Sequence, residues 1–126
     1  MIRINPRFLL PVLAATAVLT TAGTRLSQPA IGPEVTVSGM VVDMACKFNR
    51  GQSGPSHIPC AEMCAKAGVP FGILTADGKL YIPAAHGESS NAVLMPFLEQ
   101  EVIATGAAFP AAGNYTIEVS KIAKKS

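Results

Sequence analysis

Polar and apolar positions alternate from Glu34 to Val42: Val35, Val37, Gly39 and Val41 fall on one parity, Thr36, Ser38 and Met40 on the other. That period of two predicts a strand with one buried face, ending near Val42. The alternation returns at residues 115–122, where Tyr115, Ile117 and Val119 are interleaved with Thr116, Glu118 and Ser120. Shorter apolar runs at 71–75 and 80–83 flank Asp77-Gly78, a dipeptide that favours a tight hairpin turn. A run at 101–108 brings the expected strands to five, with a turn at 110–113 before the last.

Two segments carry helix signals. Pro59 suits a first helical turn, where its missing N–H would have had no partner, and it predicts a helix over 59–67 with Glu62 in its first turn. Gly68 supplies a C-terminal cap and Pro70 prevents continuation. Ser89 or Ser90 caps a second helix containing Val93, Leu94, Phe97 and Leu98, which Pro96 shortens or kinks. Residues 43–58, polar and interrupted by Gly51, Gly54 and Pro55, read as a long loop without a regular element. The order of elements predicts a mainly β domain with two short helices, a five-stranded OB-like barrel. An open α+β sandwich is the alternative.

Composition and charge narrow the setting. Arg3 and Arg7 precede the apolar run from Phe8 to Leu19, and small residues follow at Thr20, Thr21, Ala22 and Gly23. This reads as an export signal over 1–23, its apolar run short of the roughly 20 residues of a spanning helix. Contact with a membrane is then expected only through an uncleaved signal, and the location is periplasmic or secreted. Residues 24–33 form an extended lead-in, 34–122 the domain and 123–126 a basic tail. Removing Arg3 and Arg7 from the 10 Lys and Arg leaves eight against 8 Asp and Glu. A near-neutral domain whose basic cluster is Lys121, Lys124 and Lys125 lacks the electrostatic footprint of a nucleic-acid binder.

The chemistry is concentrated in residues 41–68, which hold all 3 cysteines and one of the 2 histidines. Cys60 and Cys64, four apart on a helix, share one face, and His57 lies just ahead of it. Cys46, at the exit of the first strand, joins them if the loop folds back. Three thiolates and an imidazole suit a tetrahedral Zn(II) or a thiophilic Cu(I). Met40, Met44 and Met63 are accessory candidates, because thioethers favour Cu(I), although each also fits ordinary core filling. Asp43 is a further accessory candidate and, with Glu62, a possible orienter of His57.

Three cysteines cannot all pair within one chain. A disulfide from Cys46 to Cys60 or Cys64 is the competing reading; it would pin the loop to the helix and contribute roughly 3 kcal/mol. A thiol enzyme has less support, since no Cys-x-x-Cys pair is present, and neither the Gly-x-Ser-x-Gly nor the His-Glu-x-x-His motif of hydrolases occurs.

Taken together, Gly39-Met40-Val41-Val42-Asp43-Met44-Ala45-Cys46, His57-Ile58-Pro59-Cys60-Ala61-Glu62-Met63-Cys64, Gly68-Val69-Pro70 and Asp77-Gly78-Lys79-Leu80-Tyr81 resemble a family of small exported bacterial proteins. The resemblance covers residues 35–83, with a looser match to the last two strands. It implies an OB-like barrel and that Cys46, His57, Cys60 and Cys64 act as one unit; no established reaction comes with it. The expected function is an exported small binding protein with a Cys/His transition-metal site. The alternative is a disulfide-stapled module that binds another exported protein.

Overall fold

The computed structural model describes residues 32–84 and 89–126, so the expected signal at 1–23, most of the lead-in and His86 lie outside the described residues. The alternating segment forms strand β1 (Glu34–Asp43). Its first part pairs antiparallel with β4 (Glu101–Ala111) and its second part with β2 (Phe71–Thr75). Gly39 belongs to both ladders, opposite Thr75 and Val102. A Cβ there would come 2.6 Å from the Leu74 carbonyl oxygen, so a bare backbone is required where β1 changes partners.

A hairpin through Asp77-Gly78 leads into β3 (Leu80–Pro83), with Gly78 at φ 83°. Strand β3 then pairs in parallel with β5 (Asn114–Lys124), and β5 pairs antiparallel with β4. The order β1-β2-β3-β5-β4 closes on itself, giving the expected five-stranded OB-like barrel and not the open sandwich. Its core collects Val37, Val41, Phe71, Ile73, Val102 and Ile117. Ala112 and Gly113, both at positive φ, make the two-residue turn between the last strands. That tight turn lets the ladder run from Ala111 opposite Asn114 to Val102 opposite Lys124. Both strands are therefore longer than the expected 101–108 and 115–122, and part of the basic tail is strand.

Among the described residues three short helices are present where two were expected. Residues Met44–Arg50, read from sequence as irregular loop, form α1. Asp43 is its N-cap, and Gly51 ends it in the left-handed region with its N–H on the Lys47 and Cys46 carbonyls. Helix α2 (Ile58–Lys66) follows a 3-10 turn at Pro55–His57. It begins one residue before Pro59, which places exposed Glu62 beyond the first turn. Gly68 ends it as expected: its N–H bonds the Ala65 carbonyl and that of Val69 bonds Cys64, a Schellman cap. Helix α3 (Ser90–Leu94), capped by Ser89, gives way at Pro96 to a 3-10 turn over Met95–Phe97.

Candidate metal centre

The site forms where β1 leaves the barrel. The β1–β2 ladder ends at Asp43 opposite Phe71, and Met44 N–H still bonds the Pro70 carbonyl as α1 begins. Asp43 Oδ1 accepts the Cys46 N–H at 3.1 Å, which fixes the first turn of α1 and the position of Cys46 within it. Helix α2 lays Ala61 and Ala65 against the core, and these small side chains let its backbone lie close. Cys60 and Cys64, half-buried on its flank, are thereby carried to Cys46.

The cysteines and His57 meet, in two overlapping groups. In one, the donor atoms of Cys46, His57 and Cys60 all lie within 4.8 Å of one another; in the other, those of Asp43, Cys46 and Cys64 do. Cys46 belongs to both. All three cysteines are free thiols, so the loop-to-helix disulfide of the competing reading is not formed. Cys/His groups lying together in this way are compatible with a metal site.

The site is also buried. Asp43, Cys46 and His57 are 1%, 5% and 7% exposed. Asp43 Oδ2 and His57 Nε2 face each other at 3.9 Å, too far for a hydrogen bond, and neither has any other partner. Burial works to raise the Asp43 carboxyl pKa, but the Cys46 N–H, the neighbouring Cys64 and Cys46 thiols and the Ala45 N–H outweigh it and hold it below 3.8. The thiols move the other way. Burial, then the Asp43 charge, pushes Cys46 up from 9.0. Interaction with the Asp43 carboxylate, then burial, pushes Cys64 up to about 12.

Asp43 is thus a full member of the cluster and an approach partner of His57, whereas Glu62 is exposed. The methionines contribute less. Met63 is 65% exposed, and Met40 and Met44 are half-buried on β1 and at the start of α1.

Sequence reasoning missed Glu99. It is buried, has φ 55°, and accepts the Gly54 N–H on Oε2 at 2.7 Å; Gly54 in turn accepts the His57 N–H at 2.9 Å. Glu99 so anchors to the barrel the turn that carries His57. Nothing in its sequence context distinguishes it from a solvated loop carboxylate. No protein-family model, no curated protein and no solved structure matches this chain.

Proposed function

We propose that the protein is a small binding protein for a transition metal, held by Cys46, His57 and Cys60, with Cys64 and Asp43 adjoining through Cys46. The observation that carries this reading is buried His57, which has an Nε2 without a hydrogen-bond partner and a ring nitrogen within 4.8 Å of two thiols that are not joined in a disulfide. A buried ring nitrogen left unpaired costs about 1–3 kcal/mol, a cost removed when its lone pair binds an ion. Three atoms within 4.8 Å of one another leave a central ion at most about 2.8 Å from each. Movements of roughly 0.5–0.8 Å reach the 2.0–2.3 Å of Zn–N and Zn–S bonds.

The donor set favours Zn(II). Imidazole, thiolate and carboxylate together make a borderline set, whereas thioethers would tilt the choice to Cu(I), and the thioether of Met63 is turned to solvent. The signal-like segment at 1–23 supports action outside the cytoplasm, where free thiols survive best when held by an ion.

Protein purified without chelator should carry zinc and yield three titratable thiols on denaturation, and Cys60→Ser should lose most of that zinc. Protein with no metal, one titratable thiol and no uptake of Zn(II) or Cu(I) after reduction would overturn the proposal in favour of a disulfide-stapled module.

A further inference from the structure

The two donor groups share one atom, the Cys46 sulfur, and this gives the site room for more than one ion. We infer that the centre is dinuclear, with the Cys46 thiolate bridging one divalent ion held by His57 and Cys60 and a second held by Asp43 and Cys64. The inference rests on the metal-binding reading above and deepens it.

Geometry argues first. Cys46, His57, Cys60 and Cys64 do not collect into a single four-donor group; Cys64 joins Cys46 only together with Asp43. A single tetrahedral ion using all four would have to pull the two groups into one. Two ions need only contract each group about its own centre. A deprotonated thiolate has more than one lone pair, so a single sulfur can serve both.

The buried carboxylate argues second. Asp43 Oδ1 is occupied by the Cys46 N–H, whereas Oδ2 is buried without a hydrogen-bond partner, and the carboxylate lies in the group with Cys46 and Cys64. An ion bound there would satisfy that oxygen.

Charge argues third. Three thiolates and one carboxylate carry four negative charges, which two divalent ions balance and one leaves half unmet. At a site where Asp43, Cys46 and His57 are almost entirely buried, an uncompensated charge is costly and a neutral cluster is favoured. Two Cu(I) ions would leave the same excess as one Zn(II), so the structure assigns the pair to divalent ions.

The test is a titration of reduced, metal-free full chain with Zn(II), and in parallel with Co(II) as a spectroscopic probe. Wild type should saturate at two equivalents. Cys64→Ser and Asp43→Asn should each saturate at one, and Cys46→Ser should retain neither ion tightly. Asn keeps an oxygen acceptor for the α1 cap and Ser is close in size to Cys, and circular dichroism of each variant tests that it is folded. The electron paramagnetic resonance signal per cobalt should fall as the second equivalent binds, because a bridging thiolate couples the two spins. Saturation at one equivalent, or two equivalents with independent cobalt signals, overturns the shared-thiolate centre while leaving metal binding intact. No uptake of either ion overturns the metal-binding reading itself.

Discussion

Asp43 joins three roles in one residue: it closes the β1–β2 ladder, caps α1, and supplies the carboxylate beside which Cys64 titrates. The last role sets a pH dependence whose sign follows from linkage. In the metal-free protein the folded chain holds the Cys64 proton to about 12, whereas an unfolded thiol releases it near 9.0. Between those values the folded state binds more protons, so stability present below pH 9 is lost as pH rises towards 12. Chemical denaturation of chelated protein should show this alkaline loss, and Cys64→Ser should show less of it. Equal slopes in the two proteins would mean that the carboxylate and thiol are not coupled. Metal must displace the same proton, so zinc affinity should increase with pH over the neutral-to-alkaline range.

At the scale of elements, the placement of the site depends on how α2 is fastened to the barrel, by its core alanines and by Asn91. Its Oδ1 accepts the Phe71 N–H, and its Nδ2 donates to the carbonyls of Ala65 and Val69, tying α3 to the end of α2 and the start of β2. Asn91→Ala would leave these buried groups unpaired, at a cost of about 2–3 kcal/mol. A thermal melt should fall by roughly 10–20 °C for a domain of this size, with zinc affinity reduced alongside. A melt within a degree or two of wild type would show that α2 is held by its alanines alone. Asn91 and Glu99 were not legible in the sequence because their importance lies in partners 20 and 45 residues away. The strands were legible, because period-two alternation records a buried face directly, and so was α2, whose Pro59 and Gly68 mark its ends. Helix α1 was misread although its signals are local: Asp43 at the N-cap and Gly51 past the end. Of its residues MACKFNR only Cys46 is buried, with Phe48 exposed, so no buried apolar stripe marks it. The cysteines and histidine were read correctly as a neighbourhood, while their division into two groups depends on the path of that unrecognised helix.

For the whole molecule, the barrel and the site are stabilised by different means. The five strands are hydrogen-bonded all the way round a closed sheet, and their ladders do not involve the proposed metal donors other than Asp43. The segment from α1 to the 3-10 turn is fastened more sparsely, by Met44 to Pro70 and Gly54 to Glu99. A domain this small has little stability in reserve, and an ion that joins α1 to α2 acts as a staple. An ion bound only by the folded state, at a free concentration 100 times its Kd, adds roughly 2.7 kcal/mol. Removing it should therefore lower the melting temperature by roughly 10–20 °C. The loss should not be uniform. Hydrogen exchange of chelated protein should quicken in residues 44–66, while the β4–β5 ladder, which contains none of the proposed ligands, keeps its protection below the melting temperature. Cys46→Ser, lacking the sulfur common to both groups, should behave with zinc as wild type does without it. If chelation instead loosens every strand to the same degree, the ion is part of the barrel's own folding and the site is not a module carried at its mouth.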